Sequence, residues 1–271
     1  MINFFCPQNL LDLSLKLPSI LQKTVFITGA TSGIGLACAE KFAANQFNLI
    51  ITGRRNEILQ QVKSSLEEKY NVIVTTLCFD VQNKEEVFSA TEKATDIKNI
   101  DILINNAGLA LGRDAFDDAD ITDWETMIDT NVNGLLYVSR ALMPFIKKSR
   151  GQIINIGSVA GKEVYENGNV YCATKFAADA LTKAMRIDLL KYGIKVTAIN
   201  PGAVETEFSV VRFKGDEEKA KAAYKGYTPL TPADVADAVY YCCTLPPHVC
   251  INDLSMTCLQ QANTRDFFKE N

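Results

Sequence analysis

The chain predicts an α/β fold, a doubly wound parallel sheet of about seven strands with helices on both faces. Three observations carry that prediction. From Lys23 onward, short β-rich runs alternate with longer segments of helical period. A glycine-rich turn, T-G-A-T-S-G-I-G from Thr28 to Gly35, joins the first such run to the first helical segment. The 271 residues, 47% of them hydrophobic, suffice for one sizeable core and are short for two independent domains. The expected strands are T-V-F-I-T (24–28), N-L-I-I-T (48–52), V-I-V-T-T-L (72–77), D-I-L-I-N (101–105), Q-I-I-N-I (152–156), K-V-T-A-I (195–199) and L-S-M-T (254–257). Helical patterns near 34–45, 56–69, 84–97, 122–147, 170–191 and 232–244 separate them. Right-handed crossovers then give a single-domain Rossmann arrangement.

Two segments stand outside this rhythm. Between Ala203 and Tyr227 the expected strand gives way to a long polar stretch that reads as a loop with a small helix. An insertion at the carboxyl end of a parallel strand is expected to form a substrate lid. At the other extreme, residues 1–22 read as an N-terminal extension ahead of a domain at 23–271. Phe4, Phe5, Leu10 and Leu11 are apolar there, but Pro7, Asp12, Lys16 and Pro18 interrupt the run short of the roughly 18 residues a membrane helix needs. The stretch L-D-L-S-L-K-L would suit an extra strand or an interaction arm, and a loose extension is the plainer alternative.

Charge and composition narrow the function. A net charge of −4 offers no broad basic surface for nucleic acid or an anionic membrane, so a small-molecule substrate is expected. The eight cysteines include no C-x-x-C pair and mostly lie in apolar stretches, which points to a reducing, cytoplasmic compartment. The single histidine, His248, cannot make a metal site alone or serve a serine hydrolase from its loop, so no metal is expected.

The chemistry concentrates in Y-C-A-T-K. A helical spacing of four sets Tyr171 and Lys175 on one face, where an ammonium can favour phenolate. Bringing a phenol from about 10 to about 7 takes about 4 kcal/mol, within reach of a close cation. Ser158, thirteen residues upstream in I-N-I-G-S, could donate to a developing oxyanion.

Gly29, Gly33 and Gly35 would let the backbone and a helix N-terminus approach a pyrophosphate, with Thr31, Ser32 and Ile34 in the same turn. At the end of the second strand Thr52-Gly53-Arg54-Arg55 offers no carboxylate for a ribose hydroxyl. Its two arginines suit a 2′-phosphate, so NADP is expected in preference to NAD, although either could be a solvated helix-start charge. Asp80 and Val81 could contact adenine, or Asp80 could be a helix cap.

With T-G-A-T-S-G-I-G, Asn105-Asn106-Ala107-Gly108, Asn131, Ser158, Y-x-x-x-K and Pro201-Gly202 before Thr206 in order, the chain resembles the short-chain dehydrogenases/reductases from Lys23 to about Leu259. Within them it is most similar to the NADP-dependent 3-hydroxy acid dehydrogenases, also described as L-allo-threonine or serine dehydrogenases and malonic semialdehyde reductases. N-N-A-G-L-A-L-G, D-W-E-T-M-I-D-T-N and E-F-S-V-V-R-F-K-G-D carry the narrower match.

The resemblance implies an oxidoreductase and a set of roles. Tyr171 would exchange the proton, and Lys175 would tune it and bind the nicotinamide ribose. Ser158 would bind the reacting oxygen, and the Asn131 carbonyl would hold a water linking Lys175 to solvent. Asn106, Ala107 and Gly108 would line the cofactor channel, with Pro201, Gly202, Val204 and Thr206 beside the nicotinamide. It also implies a homo-oligomer, commonly a tetramer, for which the helices at 122–147 and 170–191 could supply the interface. A hydroxy acid substrate needs a cation, and Arg212 or Lys214 on the expected lid could supply it, beside Ser158 and Tyr171. Competing readings are a reductase of another carbonyl, such as a 3-oxoacyl thioester, and a non-catalytic NADP(H)-binding sensor or scaffold.

Overall fold

A computed structural model describes residues 22–93 and 99–270. The expected extension therefore lies almost wholly outside the described residues. Seven parallel strands form one sheet in the order β3-β2-β1-β4-β5-β6-β7. They are β1 Thr24–Ile27, β2 Asn48–Gly53, β3 Val74–Cys78, β4 Ile102–Asn105, β5 Gln152–Ile156, β6 Lys195–Pro201 and β7 Asp253–Met256. The helices are α1 Gly33–Ala44, α2 Asn56–Tyr70, α3 Lys84–Lys93, α4 Ile121–Ile128, α5 Leu135–Ser149, α6 Asn169–Leu189, α7 Glu207–Arg212, α8 Glu217–Ala222 and α9 Pro232–Thr244.

Strands covered on both faces need apolar side chains in both directions, and their near-continuous apolar runs supply them. Val25, Ile27, Leu49, Ile51, Ile102 and Ile104 point into one core, built with α1, α2 and α9. The alternating Phe26, Ile50 and Leu103 point into the other, built with α3, α5 and the end of α6. Phe26, Phe42, Ile104 and Leu142 are among the large side chains fully shut from water. A buried polar ladder ties this sheet to the helices near the strands' carboxyl ends. Asn105 Nδ2 donates to Ser139 Oγ on α5 and to Asn155 Oδ1 on β5, both at 2.9 Å, and Asn155 Nδ2 donates to Thr182 Oγ1 on α6 at 2.9 Å.

Three elements depart from expectation. β3 begins at Val74 rather than residue 72, because Asn71 closes α2 in a left-handed conformation (φ 53°) and the chain needs Val72 and Ile73 to regain the sheet edge. The helix expected over 122–147 is interrupted by a π turn, Asp129–Gly134, which inserts Asn131 into the interior between α4 and α5. The segment after β6 holds two short helices instead of one. Thr206 Oγ1 caps α7 by accepting the Phe208 N–H (3.2 Å), and Asp216 Oδ1 caps α8 by accepting that of Lys219 (3.0 Å).

Candidate active site

Strand order reverses between β1 and β4, so the loops leaving their carboxyl ends diverge and open a crevice. A cavity of about 380 Å³ occupies it. Gly29, Thr31, Ser32, Gly33 and Ile34 line it, as do Arg54, Arg55, Asp80 and Val81 from the ends of β2 and β3. Asn106, Ala107, Gly108, Ser158, Tyr171 and Lys175 line it too, together with Pro201, Gly202, Val204 and Thr206. The sequence thus brought almost every expected cofactor residue to one cleft. Gly35 differs: a Cβ there would stand 2.3 Å from the Gly29 carbonyl oxygen, so this glycine serves close packing of α1 under the turn.

The turn is built for close approach. Gly29 adopts φ +67°, and its absent Cβ would lie 3.1 Å from Ala107 Cα. Thr28, which the sequence reading left out of the site, fastens the two loops. Its Oγ1 accepts the N–H groups of Asn106 (3.0 Å) and Ala107 (2.9 Å). Asn106 Nδ2 returns bonds to the carbonyls of Thr28 (2.9 Å) and Gly29 (3.2 Å).

Both arginines face this cleft. Arg55 donates to Thr31 Oγ1 (2.8 Å) and Ser32 Oγ (3.2 Å) and meets Glu207 of α7 at 3.4 Å. Arg54 lies 3.5 Å from Asp80. The cap of α3 is Asn83, whose Oδ1 accepts the Glu86 N–H (3.2 Å), while Asp80 Oδ1 accepts the Gln82 N–H (3.0 Å) and its other oxygen faces Arg54 at the cleft edge. A glycine-rich turn at the mouth of a helix, two forked cations at the end of β2 and no carboxylate at that strand end fit a dinucleotide carrying a 2′-phosphate.

The four expected catalytic residues converge and are all buried. Ser158 begins a 3-10 turn, its Oγ accepting the Ala160 N–H at 3.1 Å, and it lines the cleft beside Tyr171. Gly161 lets that turn press on α6, since a Cβ there would meet the Lys175 carbonyl at 2.6 Å. Lys175 Nζ lies 5.9 Å from the Tyr171 ring centre and donates to the Ile156 carbonyl at 3.1 Å. Asn131 acts as a backbone-like clip. Its Oδ1 accepts the Leu109 N–H (2.9 Å), and its Nδ2 donates to the Leu109 carbonyl (2.8 Å) and to Thr174 Oγ1 (3.0 Å).

The electrostatics differ from the simple expectation of a phenol lowered by its lysine. Burial dominates and pushes the Tyr171 phenol well above its ordinary value, with the Tyr165 phenol adding to the rise; Ser158 and Arg212 pull the other way. Burial also draws Lys175 down to about 8.

A second cavity, of about 570 Å³, meets the first at Ser158 and Tyr171. Phe208, Ser209 and Arg212 of α7 line it, with Tyr224 and Tyr227 after α8 and Gln261 and Phe267 from the C-terminal segment. The expected lid therefore does cover the phenol. Arg212 reaches inward, its Cζ 5.6 Å from the Tyr171 ring centre and its buried Nε without a hydrogen-bond partner. Lys214 turns away to Asp123 at 2.8 Å, which raises the lysine, so the structure separates the two cations that sequence left equal. Tyr165, Arg113 and the C-terminal segment were missed because nothing local in their sequence signals this wall.

The model of the family described as short chain dehydrogenase matches residues 23–217. An NADP-dependent 3-hydroxy acid dehydrogenase, YdfG, of Salmonella typhi is 46% identical over 243 residues, covering 88% of this chain and 96% of that protein. An NADP-dependent 3-hydroxy acid dehydrogenase of Schizosaccharomyces pombe is 44% identical over 234 residues, 85% of this chain and 90% of its own. Among solved structures, the closed form of serine dehydrogenase complexed with NADP+ superposes with a TM-score of 0.84 at 43% identity, covering 92% of this chain and all of the other. Fold, motif order and these likenesses agree, and the chain belongs to the short-chain dehydrogenases.

Proposed function

We propose that this protein is an NADP-dependent oxidoreductase that moves a hydride between nicotinamide and a 3-hydroxy acid or β-hydroxy amino acid of the serine type. One observation carries the reading: a dinucleotide-sized cleft edged by two arginines meets, at Tyr171 and Ser158, a second cavity into which Arg212 points. The relatives named for NADP and for 3-hydroxy acids or serine support it.

The dinucleotide, when bound, gives or takes hydride at the nicotinamide. The glycine turn and the start of α1 would hold its pyrophosphate, and Arg54 and Arg55 its 2′-phosphate. Tyr171 donates a proton to the carbonyl oxygen in reduction and removes one from the hydroxyl in oxidation. Ser158 bonds the same oxygen, and Lys175 holds positive charge behind the phenol as proton density moves. Asn131 fixes the inner wall at Leu109. A phenol raised by burial stays protonated at neutral pH, the form that reduction needs, and oxidation, which needs the phenolate, is favoured at alkaline pH. Arg212 forks onto the substrate carboxylate, and Lys214 has no part in it.

We read residues 23–271 as the catalytic domain, acting in the cytoplasm as a homotetramer. No helix among the described residues is long and apolar enough to cross a membrane. Leu136 on α5 and Phe176 and Ile187 on α6 expose apolar surface that suits a helical interface, which light scattering would test.

The deciding assay follows NADP+ reduction with L-serine, L-allo-threonine and 3-hydroxypropionate, against NADPH oxidation by an acetoacetyl thioester. Turnover of the acids and not the thioester is expected; the reverse would overturn the reading. Arg212→Ala is expected to raise KM for the acids about ten- to hundred-fold, the scale of one charged hydrogen-bonded pair, with Lys214→Ala nearly silent. An unchanged KM in Arg212→Ala would remove the carboxylate role.

A further inference from the structure

Beside the catalytic phenol stands a second tyrosine that the reaction as described does not use. Tyr165 lies six residues before Tyr171, in the turn that leads into α6, and its ring packs in one apolar cluster with Tyr171, Leu109 and Cys172. The turn is made for that ring. The Gly168 N–H donates to the Tyr165 carbonyl at 3.0 Å, and Asn167 takes φ +59°. A Cβ on Gly168 would come within 2.7 Å of Tyr165 Cε2, so glycine is what lets the ring lie over the start of α6.

Two guanidinium groups approach this one ring. Arg212 Cζ is 5.5 Å from its centre, and Arg113 Cζ is 5.9 Å away. They arrive from separate elements: Arg212 ends α7, and Arg113 follows Gly112, whose N–H donates to the Arg212 carbonyl at 3.0 Å. That bond locks the loop after β4 to the lid. Both arginines line the larger cavity with Tyr165 and Tyr171. Like charges brought together repel unless a π face or an anion offsets them, and a guanidinium held flat on a ring keeps its forked donors free for an oxyanion.

We propose that Tyr165 is a positioning residue that holds Arg212, with Arg113 beside it, as a two-guanidinium seat for the carboxylate of the substrate. The proposal rests on the hydroxy acid reading above and adds residues to it. Burial pushes the Tyr165 phenol up, while the Arg212 charge pulls it down, in keeping with the guanidinium 5.5 Å from the ring centre. In this arrangement Tyr165 touches no reacting atom. It fixes where the acid end of the substrate sits, and so which carbon faces the hydride.

The test compares the full-length parent, Tyr165→Leu, Tyr165→Phe, Arg113→Ala, Arg212→Ala and the Tyr165→Leu/Arg212→Ala double variant. Substrates are 3-hydroxypropionate and its uncharged methyl ester, and NADP+ affinity is measured separately by fluorescence titration. For Tyr165→Leu, KM for the acid is expected to rise about ten-fold or more, with kcat/KM for the ester within about three-fold and NADP+ binding unchanged. Tyr165→Phe, which keeps the ring, should recover most of the loss, and Arg113→Ala should raise KM for the acid by a smaller factor. The double variant should be no worse than Arg212→Ala alone, because both act through one guanidinium. Equal losses for acid and ester, or additive losses in the double variant, would overturn the proposal by making Tyr165 a packing residue. If Arg212→Ala raises KM while Tyr165→Leu does not, this inference fails and the carboxylate reading survives. A silent Arg212→Ala overturns both.

Discussion

At Tyr171, burial and chemistry pull in opposite directions. The ring is packed against Phe208 at 5.7 Å and largely buried, which disfavours the phenolate that oxidation requires. Replacing Tyr171 with Phe is expected to cut kcat by about 10²–10⁴ while leaving NADP+ affinity within a few-fold, checked by single-turnover kinetics and a binding titration. Lys175 carries the matching burden. Its fall from an ordinary 10.5 to about 8 corresponds to about 3 kcal/mol of destabilisation below pH 8. Between pH 8 and 10.5 the unfolded chain binds the extra proton, so this group's contribution to stability rises with pH through that window. Lys175→Met should therefore melt above the parent at pH 7 and lose that advantage toward pH 10. A variant that melts below the parent equally at both values would show that the buried ammonium is no burden. Ser158, Tyr171 and Lys175 could be grouped from sequence because short spacings along the chain tie them to one another. Thr28, Tyr165 and Arg113 were not legible, since their partners come from distant segments and each residue type is ordinary by itself.

Among the elements, the helix between β4 and β5 shows where pattern reading stops. Apolar positions run on through Met127, Val138, Leu142 and Ile146, so the periodicity suggests one helix. The π turn is set by side-chain partners of Asn131 that local sequence does not encode, and Gly134 then admits the β3–α3 loop, where a Cβ would stand 2.8 Å from Val81 Cγ2. The lid helix α7 likewise could be foreseen as an insertion but not in its orientation. Its first residue, Glu207, meets Arg55 across 152 positions of sequence. Because Arg55 is held over Thr31 and Ser32, removing it should cost affinity for the phosphorylated dinucleotide specifically. Arg55→Ala is expected to raise KM for NADP+ about ten- to hundred-fold and that for NAD+ by less than about three-fold. Parallel losses for both cofactors would assign Arg55 to the lid alone.

On the scale of the whole molecule, the doubly wound parallel sheet of about seven strands with helices on both faces was legible because alternation of short and long apolar periods is a property of the entire chain and survives errors of two or three residues at any boundary. The wall of the larger cavity was less so, being assembled from the insertion after β6, the turn before α6 and residues 261–269, which meet only once the sheet has formed. The reversal of strand order between β1 and β4 occurs once in the sheet, and this sets a stoichiometry. Among the described residues each polypeptide offers one such berth for a dinucleotide, so calorimetric titration with NADP+ should saturate at one equivalent per chain, whatever number of chains assemble; a plateau at half an equivalent would mean that neighbouring copies share or obstruct it.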